Sequence, residues 1–410
     1  MKHPTRHCGW IPRCLRAAIG LAFLTVVAPL FIVAQVANKP SKDVWTFQLL
    51  YQFKAGPGGA EPYATPIIDS QGNLYSTTCN DGAFASGVVW KLSPAGKETV
   101  LYNFKQTGGG GGMPYSSLIR DAAGNLYGTT QFRGIYGGRC GAFGCGTVFK
   151  IDPSGKEIVL HRFTGKANDG MTSEQGLVAD PSGNLYGTTT HGGSKGLGVI
   201  FKIDVSGKWS ILHSFDFGVE GFFPYGGTLL RDTEGNLYGT VEVGGSGGGG
   251  SVFKLGPHGK LTVLHAFGGT GDGASPIGNL VKDAAGNFYG VTEYGGAFGF
   301  GTVFKIDAKG VETVLYSFSG TKGDGLSPVG GLVRDDAGNL YGTTNSGGAH
   351  FLGTIFKLDP NNKETILHQF DGATGRNPEF ALLLDSKGTL YGTAFQGGAY
   401  GGGVVFKLTH

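Results

Sequence analysis

Five acidic residues at variable loop positions are the side chains in this sequence best suited to chemistry. Two occupy one repeated position and three lie in loops just before successive repeats: Glu242, Glu293, Glu220, Asp272 and Asp324. We expect these carboxylates to form an acidic sector near the mouth of a central channel. Paired carboxylates can ligate a cation such as Ca²⁺, accept hydrogen bonds from a sugar, or act as acid and base in glycoside hydrolysis. The alternative is a solvated rim, with Asp272 and Asp324 in Gly-Asp-Gly turns.

The position of Glu242 and Glu293 changes its residue type from copy to copy, as a localised binding site requires. In chain order it holds Cys79, Gln131, Thr190, Glu242, Glu293, Asn345 and Phe395.

Aromatic residues recur in glycine-rich loops, mostly after Gly-Gly-Ala or a variant of it. We call them the tip aromatics: Phe84, Phe143, Phe298, Phe351 and Tyr400. Exposed rings on a polar rim can stack on sugars, and exposed apolar groups mark interaction sites. The alternative is that each ring tucks against the next repeat.

No residue set supports a catalytic assignment. One repeated position accepts either histidine or tyrosine, which is typical of an amphipathic outer strand: Tyr51, Tyr102, His161, His213, His265, Tyr316 and His368. The sequence contains no Ser-His-Asp set that can be argued, and no C-x-x-C pair or His/Cys cluster has metal-ligand spacing. We predict no cofactor, with Ca²⁺ as the one possible ion.

A unit of about 52 residues positions all of these side chains. Its signature, Gly-Asn-Leu-Tyr-Gly-Thr-Thr, occurs seven times at spacings of 50 to 59 residues, with the tyrosines Tyr75, Tyr127, Tyr186, Tyr238, Tyr289, Tyr341 and Tyr391. A fixed period of this length indicates a propeller or a solenoid.

One unit contains four short apolar runs, which we name strands A to D. In the sixth copy they cover about 331–335, 339–344, 353–358 and 364–370. The Asp, Gly and Asn residues between them favour tight antiparallel hairpins. Four antiparallel strands per unit are typical of a propeller blade.

Strands A, B and C occur seven times, but only six D strands follow a C strand. The missing one precedes the first blade at 46–53. The sequence therefore predicts an all-β, seven-bladed β-propeller with four antiparallel strands per blade, closed by the N-terminal strand pairing with the last three strands. An open solenoid would need polar caps. We expect the C-strand aromatics to be buried, and the glycine of the signature to allow close approach by a neighbouring blade.

The hairpin geometry predicts two unlike faces. The A–B and C–D turns form one face, the turn face, and the B–C and D–A loops form the other, the loop face. Asp at the end of strand A and Lys in strand C recur in all seven copies on the turn face, so we assign them to turn geometry. A binding site is expected on the variable loop face.

Residues 1–37 do not belong to the ring. Four positive and no negative charges lie in this segment, and the run from Ala17 to Ala37 is almost wholly apolar. This predicts a signal peptide or an uncleaved N-terminal membrane anchor, a linker at 38–43 and a propeller at 44–410. Both alternatives predict an extracytoplasmic protein: secreted, periplasmic or attached to the envelope.

The charge of the chain excludes one class of partner. The net charge is +3, which becomes −1 without the first 37 residues. A nucleic-acid partner needs a basic footprint, so none is expected. We expect a monomer that contacts a membrane only through an uncleaved N-terminal segment.

The cysteines fit an oxidising compartment. Cys140 and Cys145 lie in an insertion of the second repeat and are predicted to form a disulfide. Cys79 is expected to be a small, partly buried residue, with a reactive thiol as the alternative.

The repeat, with its Asp-x-x-Gly-Asn-Leu-Tyr-Gly-Thr-Thr and Gly-Thr-Val-Phe-Lys-Ile-Asp segments, resembles the GloVer tandem repeat of the "choice-of-anchor" bacterial proteins over residues 44–410. The resemblance implies a bacterial extracytoplasmic repeat protein, variably attached to the envelope, with no established activity. This chain shows no sorting segment after His410, so we expect N-terminal attachment or release. The Gly-Asn-Leu-Tyr hairpin is also similar, more generically, to NHL-type propeller repeats, which are mostly binding platforms.

Three function classes fit these observations. The first is a binding or interaction scaffold for a carbohydrate or protein ligand. The second is a carbohydrate-active hydrolase or lyase that uses the acidic sector on blades four to six. The third is a structural cell-surface element. The scaffold is the reading that we favour.

Overall fold

The chain forms the predicted seven-bladed β-propeller of antiparallel four-stranded sheets. A computed structural model describes residues 44–225, 227–268 and 271–410, so the predicted leader and linker lie outside the described residues. In each blade the strands follow the order A, B, C, D from the centre outwards. Within the described ranges, no helix has the length and apolar character needed to cross a membrane.

The inner two strands of each blade carry the loop-face residues. The A strands are Ile67–Ile68, Ile119–Arg120, Val178–Ala179, Leu230–Arg231, Gly273–Lys282, Leu332–Arg334 and Leu383–Leu384. The B strands are Leu74–Asn80, Leu126–Thr130, Leu185–Thr189, Leu237–Val241, Phe288–Gly295, Leu340–Thr344 and Leu390–Ala394.

The outer two strands form the wall of the ring. The C strands are Val88–Leu92, Thr147–Ile151, Val199–Ile203, Ser251–Leu255, Thr302–Ile306, Thr354–Leu358 and Val404–Thr409. The D strands, from blade 1 to blade 7, are Glu98–Asn103, Glu157–Arg162, Trp209–Ser214, Leu261–Ala266, Glu312–Ser317, Glu364–Gln369 and Thr46–Gln52.

Short elements complete the loops between these strands. The two- and three-residue strands are Ala60–Pro62, Gly111–Gly112, Phe132–Arg133, Gly170–Met171, His191–Gly192, Gly325–Leu326 and Ser346–Gly347. A 3₁₀ turn covers Gly138–Cys140.

The ring closes as the repeat count predicts. Thr46–Gln52 pairs antiparallel with Val404–Thr409, with Thr46 opposite Thr409 and Gln52 opposite Val404. Blade 7 is therefore built from both ends of the described chain, and every strand C has a partner on each side. The N-terminal strand thereby covers the outer edge of strand C in blade 7, which would otherwise be open.

Aromatic side chains join each blade to the next. The C-strand position holds Trp90, Phe149, Phe201, Phe253, Phe304, Phe356 and Phe406, all fully buried. A phenylalanine just after strand D of the preceding blade packs against each, mostly edge to face; Phe267 and Phe304, for example, lie 5.0 Å apart. At the closure, Phe53 of blade 7 lies 5.7 Å from Trp90 of blade 1. These seven contacts form an aromatic belt midway between the two faces.

The glycine of the signature has a different role from the predicted one. A Cβ at Gly290 would lie 2.5 Å from Phe304 Cζ and 3.0 Å from a methyl group of Leu280. Both residues belong to the same blade, so the glycine makes room for its own belt ring and not for a neighbouring blade. In blade 1, Ser76 replaces the glycine and Trp90 replaces the phenylalanine opposite it.

The turn face carries one hydrogen-bond network that is complete in blades 1 to 6 and lacks the asparagine in blade 7. In blade 5, Asp283 accepts hydrogen bonds from the Asn287 backbone at 2.9 Å, the Asn287 amide at 2.8 Å and the Tyr289 hydroxyl at 3.0 Å. Partial burial alone would raise the pKa of Asp283, but these bonds outweigh it and lower the pKa below its ordinary value. The Arg334 guanidinium of the next blade lies over the Tyr289 ring. The repeated Asp therefore stabilises its turn, and in blades 1 to 4 the strand-C lysine lies over the signature tyrosine of its own blade.

Candidate functional site

The ends of the seven D–A loops converge on the propeller axis. In each loop one non-glycine residue has a positive φ, between 53° and 61°, and the residue two positions later faces the centre. We call this set the central ring: Tyr63, Tyr115, Glu174, Tyr225, Ile277, Val329 and Glu379. Six of its members line one cavity, and Tyr115 packs edge to face on Tyr63 with the ring centroids 4.5 Å apart. The same backbone conformation in each loop thus brings one side chain from every blade to the propeller axis.

The two central-ring glutamates are held by amides from the preceding blade. Gln131 Nε2 donates to Glu174 Oε1 at 2.6 Å, and Asn345 Nδ2 donates to Glu379 Oε1 at 2.8 Å. Both amides occupy the variable position that follows strand B. The residue at that position therefore sets the surroundings of the next blade's central-ring residue.

Tyr63 and Tyr115 of the central ring remain hydrogen-bond donors. Burial, followed by the Glu379 carboxylate, raises the pKa of Tyr63 well above its ordinary value. Burial also raises the pKa of Tyr115, with Glu174 as the next largest cause. Both phenols stay protonated at any physiological pH, so the mouth combines neutral O–H donors with carboxylate acceptors.

The cavity at the mouth is small. The volume open to a water molecule is about 30 Å³, which is enough for an ordered water or a single functional group. Ile277 and Val329 line one part of it, whereas Glu174 and Glu379 lie with the tyrosines. A ligand larger than this must rest on the mouth or displace side chains.

All five tip aromatics are exposed, with 45 to 63% of their surface open to solvent. They do not tuck against the next blade. Lys105 lies over the Phe84 ring at 6.0 Å and Lys54 over the Tyr400 ring at 5.8 Å. Every strongly exposed aromatic residue in the described part of the chain belongs to a loop-face segment.

The structure places two residues of the acidic sector beside the mouth. Glu242 and Glu293 occupy the position that in other blades contacts the central ring, and Glu293 is buried. The backbone amide of Glu242 donates to the Phe223 carbonyl at 3.0 Å, which fixes this end of strand B to the neighbouring D–A loop.

The other three acidic residues lie at the outer wall. Glu220 Oε1 is 2.9 Å from His213 Nε2, and Asp272 Oδ2 is 3.1 Å from His265 Nε2. Asp324 accepts hydrogen bonds from the backbone and hydroxyl groups of Ser319, both at 2.6 Å. The five carboxylates therefore form two separate groups, and the outer group ties each D–A loop to strand D.

One outer group could hold a metal ion. At the junction of blades 4 and 5, three possible ligand atoms lie within 4.8 Å of one another, one each from His265, Asp272 and Glu312. Burial, followed by the nearby Asp272 charge, raises the pKa of Glu312 to about 7. Sequence spacing does not reveal this triad, because Glu312 opens strand D of the next blade.

The cysteines lie on the loop face. Cys140 and Cys145 form the predicted disulfide within the insertion of blade 2. The Cys79 sulfur is fully buried, 3.4 Å from the Glu61 carbonyl oxygen and close to Tyr115. It lies too deep for a surface nucleophile.

Solved structures share the fold at low sequence identity. The extracellular domain of a protein from B. thetaiotaomicron, assigned as a hybrid two-component system, matches with a TM-score of 0.53 and 15% identity over 88% of this chain. A second such domain from the same organism matches with a TM-score of 0.53 and 16% identity over 90% of this chain. The chain spans about two fifths of the length of those two domains, 41% and 43%.

A gluconolactonase from Xanthomonas campestris matches with 15% identity over 88% of both chains, but its TM-score of 0.44 supports no inference about activity. No curated protein sequence matches the chain.

A family model covers the whole propeller. The model of the Gloeobacter/Verrucomicrobia repeat matches residues 39–232, 137–336 and 227–410. These overlapping matches include all seven copies of the signature and every strand described above. The chain therefore belongs to the Gloeobacter/Verrucomicrobia (GloVer) repeat family.

Proposed function

We propose that the protein is an exported binding scaffold that holds a carbohydrate ligand on its loop face. The observation that carries this proposal is the exposure of the five tip aromatics around a mouth of phenols and carboxylates. An exposed ring is poorly solvated by water on both faces, and a rigid scaffold that presents several of them favours ligand contact.

The spacing of the rings favours a carbohydrate over a protein partner. Each tip aromatic lies on its own blade, within a loop of glycine and polar residues. A protein interface usually has a contiguous buried core with aromatic anchors, whereas isolated rings surrounded by polar groups suit the alternating apolar faces and hydroxyl groups of a polysaccharide. A protein ligand remains an outcome of the test below.

The central mouth suits hydrogen bonding to a neutral polar ligand. Tyr63 and Tyr225 supply hydroxyl groups, and Glu379 supplies a carboxylate fixed by Asn345. The small cavity accepts one projecting group of a ligand while the tip aromatics contact the rest. The central cavity would then orient the ligand, and the tip aromatics would supply most of its contact area.

Hydrolysis receives less support than binding. Glycosidases need two carboxylates on opposite sides of one bond, and three of the five predicted acidic residues stabilise loops at the outer wall. A purely structural role receives less support as well, because the exposed aromatics and the variable central ring are confined to one face.

A glycan array probed with the purified full-length chain tests the proposal, followed by calorimetry on each sugar that binds. Removing one ring, as in Phe298→Ala, Phe351→Ala or Tyr400→Ala, should weaken binding by roughly 1 kcal/mol, about fivefold. The triple variant should lose binding, because its three rings lie on neighbouring blades.

The matched controls are Val205→Ala and Val311→Ala, since these residues are 71% and 59% exposed on the turn face. They should bind like the wild type, and all five single variants should unfold within about 0.5 kcal/mol of it. The proposal fails if no sugar binds, or if the triple variant binds as well as the controls. Capture of a protein by the loop face alone would favour the protein-ligand alternative.

Export is a separate part of this proposal and rests on the basic and apolar segment at 1–37. Fractionation of bacteria that express the full chain should recover it outside the cytoplasm. Its recovery in the cytoplasmic fraction with free Cys140 and Cys145 would contradict export.

A further inference from the structure

A simple pairing holds at the outer wall between successive blades. The His or Tyr of one strand D faces the residue that opens strand D of the next blade. Where the first residue is tyrosine, the second is glutamate and accepts a hydrogen bond from the tyrosine hydroxyl, as between Tyr102 and Glu157 at 2.7 Å. The other tyrosine pairs are Tyr51 with Glu98 and Tyr316 with Glu364.

Where the first residue is histidine, the second is usually apolar. His161 stacks on Trp209 with the ring centroids 4.0 Å apart, and His368 stacks on Phe47 at 3.8 Å. At the junction of His213 the corresponding residue is Leu261. In these copies the histidine needs no acceptor from the next blade, because the D–A loop that follows it already provides a hydrogen-bond partner.

The junction of blades 4 and 5 departs from this pairing. His265 faces Glu312, so a histidine whose Nε2 lies 3.1 Å from Asp272 meets a second carboxylate. Oε1 is buried without a hydrogen-bond partner in Glu312 and also in the glutamates of the three tyrosine pairs, but only those three glutamates are hydrogen-bonded to a tyrosine hydroxyl. Among the junctions in the described residues, this is the one where a histidine and two carboxylates converge.

We propose that His265, Asp272 and Glu312 bind a divalent transition-metal cation, with Zn²⁺ as the ion that fits best, and that this ion links blade 4 to blade 5. Imidazole nitrogen and carboxylate oxygen are both ligand types that zinc accepts. Their ligand atoms lie within 4.8 Å, and modest side-chain rotations would bring them to the roughly 3.4 Å separation of a tetrahedral site. Water fills the fourth position.

The surroundings of the triad orient two of its three ligands. Asp272 Oδ1 accepts a hydrogen bond from the Gly273 backbone at 2.7 Å, which leaves Oδ2 directed to His265. The His265 ring packs edge to face on the belt residue Phe267, with the centroids 4.6 Å apart. Hydrogen bonds and packing of this kind are typical of the shell around metal ligands. Imidazole is a poor ligand for Ca²⁺, which prefers oxygen.

Sibling junctions supply variants that should fold and lose the metal. His265→Tyr recreates the tyrosine–glutamate pair of the next junction, and Glu312→Leu recreates the histidine–leucine pair of the preceding one. The full-length wild type, freed of metal with a chelator and titrated with ZnCl₂, should bind one equivalent and unfold at a higher temperature. Both variants should bind at least about 100-fold more weakly and show no thermal shift.

A gain of binding gives the sharpest control. Tyr316→His places a histidine beside Asp324 and Glu364, so this variant should bind a second equivalent of Zn²⁺. CaCl₂ should produce no comparable shift in any of the proteins. The proposal is wrong if the wild type binds no more Zn²⁺ than His265→Tyr and Glu312→Leu, or if Ca²⁺ replaces Zn²⁺ with equal affinity.

Discussion

The two faces of this propeller are built on the same seven sheets and differ in how their residues repeat. On the turn face, each blade presents the same aspartate, with an asparagine in all but one copy, and an aromatic ring that is tyrosine in all seven. On the loop face, the central ring holds four residue types in seven positions. Identical residues serve a contact that every blade must make, whereas differing residues can together match one asymmetric ligand.

The comparison separates stability from binding. Side chains of the turn face form hydrogen bonds within their own blade and cation–π contacts with the next one, so their loss should weaken the ring. Rings of the loop-face tips contact solvent, so their loss should leave the ring intact. Each prediction below tests one side of this separation, from the largest expected effect to the smallest.

Substitution in the aromatic belt, which lies between the two faces, should cause the largest loss of stability. Phe304→Ala removes a fully buried ring that contacts Phe267 across the blade junction. We expect the free energy of unfolding to fall by about 3–5 kcal/mol, measured by chemical denaturation. Val311→Ala, an exposed change in the same blade, should alter it by less than about 0.5 kcal/mol. A comparable loss in both variants would show that the belt does not carry the ring.

The turn-face network should contribute less, and blade 7 offers its own control. Asp283→Ala leaves the Asn287 and Tyr289 donors without an acceptor and should cost about 1–2 kcal/mol in unfolding free energy. In blade 7, Thr389 replaces the asparagine, and the Tyr391 hydroxyl is 3.4 Å from Asp385. Asp385→Ala should therefore cost less than Asp283→Ala. Sugar binding should be unchanged in both, and its loss would contradict the separation of the faces.

Acid should lower the stability of the protein slightly by protonating the turn-face aspartates. The folded-state pKa of Asp283 is below its ordinary value of 3.8. Its stabilising contribution is therefore complete above that value and is lost as the pH falls through the folded-state pKa. Asp283→Asn should show a shallower decrease of denaturation midpoint between about pH 6 and about pH 3 than the wild type. Tyr400→Ala should follow the wild type, and equal slopes in all three proteins would remove Asp283 from the acid response.

The architecture could be predicted from the sequence because every blade of a propeller has the same strand pattern. A missing strand D at the C-terminal end required the segment at 46–53 to close the ring, and the structure pairs Thr46–Gln52 with the last strand. The disulfide between Cys140 and Cys145 followed from a local insertion. The disulfide depends on residues that are close in the chain, and the closure follows from the number of strands in the repeats.

The distance of a loop residue from the propeller axis could not be predicted from the sequence in the same way. A D–A loop runs from the outer wall to the axis, so residues a few positions apart lie in different places. Glu220 contacts His213 at the wall, whereas Tyr225 lines the central cavity. The central ring was missed for this reason, although its variable residue types were a usable signal. The metal triad was missed because Glu312 comes from the following blade.

The closure of blade 7 also places both ends of the described chain on one face. Thr46 pairs with Thr409 where strand C ends and strand D begins, which is the side of the A–B and C–D turns. A segment joined to either of these residues therefore leaves from the underside of the disc. An attachment through either end would therefore leave the exposed rings and the central mouth directed away from it.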